Sequence, residues 1–279
     1  MKITREKICL YTPVYSNRSS MMEIIERATL HGVGGVELMN FCEELKTPDM
    51  EMAKKLGREA RLRGLQMPCF SAAADIYAEP TEMIDMLCRY AEICSQLEIP
   101  YLHHTVAFAF EGEAVSLTDE GREARFQACL EPVLRLCDYA RTLGVRTLIE
   151  DQGFVFNGHR NCIRLCELSG NQIGIVADTG NILFFDEKPE DFIRAADTHI
   201  CHAHVKDYLR QNKPFANGSY YQTRLTNFLQ DCALGDGVVD FCAVKKAFEQ
   251  VSYQGMFALE LSGVPDAAAL DRAIDFLCS

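Results

Sequence analysis

The strongest constraint on this chain is an alternation repeated eight times, in which a short strand-like run gives way to a stretch of helical period. Strand-like runs fall at 8–14, 35–39, 65–72, 101–106, 146–151, 173–178, 200–205 and 256–261. Stretches of helical period follow at 20–31, 48–63, 80–97, 118–143, 160–168, 189–196, 240–251 and 267–277. Pro48, Pro80 and Pro189 stand at helix starts, where a fixed φ suits the first turn, and Gly64 and Gly144 follow helix ends.

Strict alternation makes neighbouring strands parallel, because each return to the sheet needs a crossover. The run Ile173-Gly174-Ile175-Val176-Ala177 is apolar on both faces, as a strand covered on both sides should be. Eight such units in 279 residues fit a closed (β/α)8 TIM barrel, which typically takes about 250. A doubly wound sheet is the alternative. It usually carries a glycine-rich phosphate turn after an early strand, whereas Gly32-Val33-Gly34-Gly35 precedes one. No linker or low-complexity tract divides the chain, so the expectation is one α/β domain spanning 1–279. The segment 208–239 lacks periodicity and is expected to form a long loop after the seventh strand, over the C-terminal face. Its Arg210, Lys213 and Arg224 are candidates for phosphate recognition.

Composition narrows the partners. Lys and Arg total 28 against 40 Asp and Glu, a net charge of −12, and the best basic cluster (Lys54, Lys55, Arg58, Arg61, Arg63) reads as a solvated helix face. A nucleic-acid partner is therefore disfavoured. No apolar run approaches the roughly 20 residues that span a bilayer. The opening residues Met1 to Lys7 are charged and lack the apolar segment of a secretory leader. The thirteen cysteines show no Cys-x-x-Cys spacing and fall mostly in apolar periodic segments, as free thiols of a reducing cytoplasm would. A homo-oligomer mediated by the long loop or the helices stays open.

In a barrel of this kind the active site lies at the C-terminal ends of the strands. Four consecutive strands end in ligand-type residues: Glu150-Asp151-Gln152, Asp178-Thr179-Gly180-Asn181, His202-Ala203-His204-Val205-Lys206-Asp207 and Glu260. Period 2 puts His202, His204 and Lys206 on one face of the seventh strand, with Cys201, Ala203 and Val205 on the helix-packed side. Two imidazoles and an ammonium on one face are costly unless that face opens into a solvated site. Three carboxylates and one imidazole suit Mn²⁺, Mg²⁺ or Co²⁺ with open positions better than a structural zinc. Such an ion stabilises an enediolate by Lewis acidity while a neighbouring carboxylate removes a proton.

These motifs, with Gly34-Gly35-Val36-Glu37-Leu38 and Leu234-Gly235-Asp236-Gly237-Val238-Val239-Asp240-Phe241, run in the order of the xylose isomerase-like barrels. The chain resembles the sugar (phosphate) isomerases and epimerases of that superfamily over residues 34–260. The resemblance implies a single divalent ion, Mn²⁺ favoured and Mg²⁺, Co²⁺ or Zn²⁺ compatible, on Glu150, Asp178, His204 and Glu260. It also implies ketose 3-epimerase-like proton transfer on a small carbohydrate or polyol, with Glu150 and Glu260 as the acid/base pair on opposite faces of the substrate. Asn181 and the Lys206-Asp207 pair depart from the free-ketose epimerases and stand closer to the pentulose-phosphate 3-epimerase and inosose-dehydratase branches.

Further substrate contacts are expected from His104, Gln152, Asn181, His202, Lys206 and Glu37. His104 shares a face with Leu102 and Val106 and so is expected to reach the barrel interior, with His103 turned toward the helices. His31 and His199 read as surface groups, and His159 as a helix cap or site wall. The alternative enzyme class is a metal-dependent dehydratase of the inosose or dehydroshikimate type. An abasic-site endonuclease needs more histidines than the seven present and a basic groove. A sugar-binding barrel without turnover is the non-enzymatic alternative.

Overall fold

The computed structural model describes residues 1–11, 20–107, 117–261 and 267–279. Residues 12–14 of the expected first strand lie outside that description. The parallel strands are β1 (Ile8–Leu10), β2 (Gly35–Val36), β3 (Leu38–Met39), β4 (Cys69–Ala72), β5 (Tyr101–His104), β6 (Arg146–Glu150), β7 (Gly174–Asp178) and β8 (Ile200–Val205). β9 (Tyr208–Gln211), β10 (Tyr221–Gln222) and β11 (Phe228–Asp231) follow, and β12 (Phe257–Leu259) returns to the main sheet. That sheet runs β2-β1-β12-β8-β7-β6-β5-β4-β3. Its two ends, β2 and β3, are one run of chain interrupted only at Glu37, so the sheet closes on itself as a TIM barrel.

Eight helices follow the barrel strands among the described residues: α1 (Met21–Leu30), α2 (Met50–Leu62), α3 (Pro80–Gln96), α4 (Asp119–Thr142), α5 (His159–Leu168), α6 (Pro189–Ala196), α7 (Phe241–Gln250) and α8 (Ala267–Cys278). Their starts follow capping chemistry. Ser20 and Glu23 form a reciprocal capping box, Asp49, Thr118 and Asp240 accept backbone N–H groups, and Pro80 and Pro189 open α3 and α6. No helix is long and apolar enough to cross a membrane among the described residues. All thirteen cysteines are free.

Two apolar layers result from the strand pleat. Phe70, Leu102, Ile149, Ile175, Ala203 and Ala258 join the large core shared with the helices. Cys69, Leu148 and Val176, with Tyr101 and Cys201 against them, form a separate small cluster in the lower barrel interior; Cys201, expected on the helix-packed side, turns inward where the β7–β8 register shifts. One step further toward the C-terminal ends, the same inward faces carry Ser71, His103, Glu150 and Asp178. The interior is thus apolar below and polar above.

Segment 208–239 is not the plain loop expected. It folds β9, β10 and β11 into an antiparallel sheet of order β10-β11-β9. These strands are two to four residues long and largely half-exposed, so they give no apolar periodicity to read. Two carboxylates pin the sheet down. Asp186 accepts from Thr223 Oγ1 and Asn227 Nδ2 at 3.0 Å, from Leu225 N at 2.8 Å and from Arg210. Asp207 accepts four backbone N–H groups, those of Tyr208, Gly235, Gly237 and Val239, at 2.9–3.1 Å.

Gly34 lets the chain pass close to the helical turn Arg5–Lys7 that leads into β1: a Cβ there would lie 2.0 Å from the Glu6 carbonyl oxygen. Backbone cannot rotate out of the way as a side chain can. Gly34→Ala should therefore cost at least about 1–3 kcal/mol, read as a lowered midpoint in urea or thermal unfolding.

Candidate metal centre and active site

At the C-terminal ends of β6, β7 and β8, and just past β12, Glu150, Asp178, His204 and Glu260 each offer one ligand atom, all within 4.8 Å of one another. Parallel registry brings them together: Asp178 pairs with His204, and Ala258 of β12 lies beside His204. His204 Nδ1 lies 2.7 Å from Glu150 Oε1 and 3.3 Å from Glu260 Oε2. Asp178 Oδ1 accepts the N–H groups of Gly180 and Asn181 at 2.7 and 2.6 Å, which fixes its carboxylate. Asp178 Oδ2 and Glu260 Oε2 are buried and accept no hydrogen bond. Buried carboxylate oxygens left without donors are costly unless a cation completes them. Together with an imidazole nitrogen they make a donor set that fits a divalent ion.

Lys206, on the same face of the chain as His204, reaches Glu260 Oε1 at 2.5 Å, Asn181 Oδ1 at 3.2 Å and Asp178 Oδ2 at 3.7 Å. Its stem lies flat on Gly180, where a Cβ would come within 2.3 Å of Lys206 Cγ. Asn181 Nδ2 is buried with no acceptor. Gln152 is half-buried at the edge of the cluster, its backbone N–H on Glu150 O.

Beneath these residues lies a second polar layer. Glu37, fully buried at the break between β2 and β3, accepts from His202 Nε2 at 2.9 Å, from His204 Nε2 at 3.4 Å and from Ser71 Oγ. His202 and Glu37 therefore hold each other under the site and do not front it. Ser71 Oγ also meets His103 Nδ1 at 2.8 Å, and His103 Nε2 faces Glu150 Oε2 at 3.7 Å.

The two β5 histidines are thus reversed from the expectation. His103 pairs beside Ser71 and Leu148 on the interior face, while His104 sits beside Ala72 with its Nδ1 on the Thr105 carbonyl and touches no site carboxylate. On β5 the face that carries Leu102 packs into the core shared with the helices, so sharing that face places His104 outside the barrel interior. The sequence does not single out Tyr11 or Ser71, and it points His103 toward the helices. Counting in twos along each strand from the lower apolar cluster would have found Ser71 and His103. Tyr11 stacks on His204 with ring centroids 4.3 Å apart. Of the other histidines, His31 binds Asp271 and His159 binds Glu187. Arg210 pairs with the buried Asp186, and Arg224 makes an exposed contact with Asp119 at 3.3 Å.

The sequence profile of the xylose isomerase-like TIM barrel family matches residues 25–279. The chain is a xylose isomerase-like TIM barrel. No curated protein sequence matches it. Among solved members of this fold, a xylose isomerase domain protein from Planctomyces limnophilus superposes with a TM-score of 0.76 at 15% identity, over 97% of this chain and 95% of that one. D-psicose 3-epimerase from Clostridium cellulolyticum H10, solved with D-tagatose, gives 0.75 at 13% identity, over 97% and 96%. A xylose isomerase-like TIM barrel protein from Mycobacterium smegmatis in complex with magnesium gives 0.74 at 14%, over 99% and 97%. At such identities the likeness is one of fold.

Within this xylose isomerase-like barrel the site's charges are strongly coupled. Burial pushes the Asp178 carboxyl up to about 7, against the pull of Lys206. Burial also opposes ionisation of Glu260, but Lys206 and then His204 outweigh it and hold its carboxyl at about 2. For His204, Glu37 and Glu150 overcome burial and raise the imidazole well above its ordinary range. Burial takes His103 down to about 4.

A divalent ion needs Asp178 ionised and His204 Nδ1 free of its proton. Asp178 takes up its proton as pH falls through about 7, and His204, whose imidazole is raised well above its ordinary range, takes up its own at higher pH, so affinity falls steadily as pH drops. One displaced proton weakens apparent binding roughly tenfold per pH unit. Calorimetric titration with Mn²⁺ should therefore show markedly tighter binding at pH 8 than at pH 6; equal affinities would contradict this picture.

Proposed function

We propose that this chain, as one barrel domain, is a divalent-metal-dependent isomerase of the epimerase type, moving a proton on the carbon next to the carbonyl of a small ketose or ketose phosphate. The observation that carries this reading is the convergence of Glu150, Asp178, His204 and Glu260 within 4.8 Å on neighbouring strand ends. The D-psicose 3-epimerase fold neighbour supports the substrate class. Mn²⁺ is the favoured ion, with Mg²⁺, Co²⁺ and Zn²⁺ compatible. A bound divalent ion would supply the Lewis acidity that makes a proton beside a carbonyl removable.

The chain's own residues supply the rest. Glu150 Oε1 meets His204 Nδ1 at 2.7 Å and Glu260 Oε1 meets Lys206 at 2.5 Å; with His204 Nδ1 given to an ion, the ion would take over the first of these anchors. The oxygen of each glutamate that the ion does not hold would be left to take or give a proton. Glu260 is 16% exposed and Glu150 2%, so Glu260 stands at the mouth and Glu150 at the floor, as a two-sided exchange requires. The pattern that satisfies Ser71 and Glu37 puts the His103 proton on Nδ1, leaving Nε2 as an acceptor toward Glu150 Oε2. His103 then helps hold the proton that Glu150 collects. Lys206 keeps Glu260 ionised and offsets negative charge gathering on the substrate, while Asn181 Nδ2 is free to donate to a hydroxyl.

The test is a panel of ketoses and ketose phosphates incubated with Mn²⁺-loaded protein in D2O. One deuterium incorporated beside the carbonyl, with no loss of water, is the expected result. Loss of water would move the protein to the dehydratase class. Neither product nor exchange, from a protein that binds Mn²⁺, would contradict the enzymatic reading.

A further inference from the structure

Glu37 is the least expected charge in the molecule: a carboxylate with no exposure, below the substrate side of the barrel, whose oxygens take three donors. We infer that Glu37 is a positioning residue for the metal centre, acting through His204 and not through substrate. The inference rests on the metal-dependent reading above and assigns Glu37 the control of how His204 presents its ligand nitrogen.

The argument starts with the two ring nitrogens of His204. Nδ1 faces Glu150 and Glu260, the side on which Asp178 also converges, and Nε2 faces Glu37 Oε1 at 3.4 Å. An imidazole can ligate through Nδ1 only if its remaining proton sits on Nε2. Glu37 is the acceptor that holds it there, and its negative charge makes the ring a stronger base toward a cation. Glu37 is itself held from two other sides, by His202 Nε2 at 2.9 Å on Oε2 and by Ser71 Oγ on Oε1, so it has little freedom to turn away. The His204 ring plane is fixed independently. Tyr11 stacks on one face at 4.3 Å, while His103 and His202 meet it edge-on at 5.3 and 5.4 Å. With the plane fixed by packing, the proton's location is the remaining variable, and Glu37 sets it.

Glu37, His103 and His204 also offer ligand atoms within 4.8 Å of one another, which is the rival use of the same residues: Glu37 as a ligand to a second ion. Stoichiometry separates the two. Wild type and Glu37→Gln are titrated with Co²⁺ by calorimetry, and the visible Co²⁺ absorption is recorded at saturation. Ser71→Ala, which removes one support of Glu37 and leaves its charge, is carried in parallel in case the buried amide of Glu37→Gln prevents folding.

The expected result is one equivalent bound by all three proteins. Affinity should fall about 10–100-fold in Glu37→Gln, with a smaller loss in Ser71→Ala. The Co²⁺ spectrum should shift in Glu37→Gln, a signature that loss of general stability does not produce. Wild-type affinity and spectrum in both variants would overturn the inference while leaving the metal centre intact. Two equivalents in wild type with one lost in Glu37→Gln would overturn it by making Glu37 a ligand. A wild-type protein that binds no Co²⁺, Mn²⁺ or Zn²⁺ would remove the proposed function and this inference together.

Discussion

Asp178→Asn is expected to lower Mn²⁺ affinity by more than about 100-fold, beyond the 10–100-fold typical of losing an outer hydrogen-bond partner. The substitution removes a charge from the four-residue cluster and puts amide hydrogens where Oδ2, which accepts no hydrogen bond, stands. The metal-free fold should barely notice. An asparagine oxygen still accepts from Gly180 and Asn181, and burial already pushes the wild-type carboxyl up to about 7, so neutralising it near pH 7 costs little. About 1 kcal/mol, or roughly 2–4 °C in Tm for a chain of this size, bounds the expected change. Mn²⁺ at 100 times its Kd should stabilise the wild type by about 2.7 kcal/mol, a shift the variant lacks. Scanning calorimetry with and without Mn²⁺ reads both effects at once, and a variant still stabilised like the wild type would remove Asp178 from the ligand set.

The second large effect concerns the two glutamates. Glu150→Gln and Glu260→Gln should each slow epimerisation by about 10²–10⁴-fold, equivalent to about 2.7–5.4 kcal/mol of barrel-held transition-state stabilisation. The losses should differ in kind. Glu150 lies at the buried floor beside His103, and Glu260 at the mouth beside Lys206. If they address opposite faces of the substrate, each variant keeps deuterium exchange with the one epimer whose proton its surviving glutamate faces. Mass spectrometry of each epimer recovered from D2O separates these cases. Loss of exchange from both epimers in one variant, with none lost in the other, would assign both proton transfers to a single residue.

Much of this architecture is legible in the chain because its signals are local. The βα alternation, the proline and glycine punctuation and the acidic strand ends all report on neighbours in sequence. The Glu150, Asp178 and Glu260 positions could be picked out because each follows an apolar run at the C-terminal end of a strand, and His204 because it shares a strand face with His202 and Lys206. What escaped depends on registry between strands. The reversal of His103 and His104 turns on which face of β5 looks inward, and an apolar neighbour such as Leu102 marks the helix side in a barrel whose interior is polar at the top. Ser71 is an ordinary serine until Glu37 and His103, 34 and 32 residues away, close on it. Glu37 looked like a substrate contact as a strand end and His202 through the face it shares with His204, yet the two pair with each other one layer below the four ligand-type side chains. The β9-β10-β11 sheet went unread because Asp186 and Asp207 hold it through backbone N–H groups as much as side chains, and those leave no composition to detect.

The account depends on one cation being shared by four side chains distant in sequence. Anomalous diffraction from crystals grown with Mn²⁺ tests this most directly. A single strong peak within coordinating distance of carboxylate oxygens of Glu150, Asp178 and Glu260 and of His204 Nδ1 is the predicted result. A peak centred elsewhere, or none at Mn²⁺ concentrations that saturate binding in solution, would contradict it.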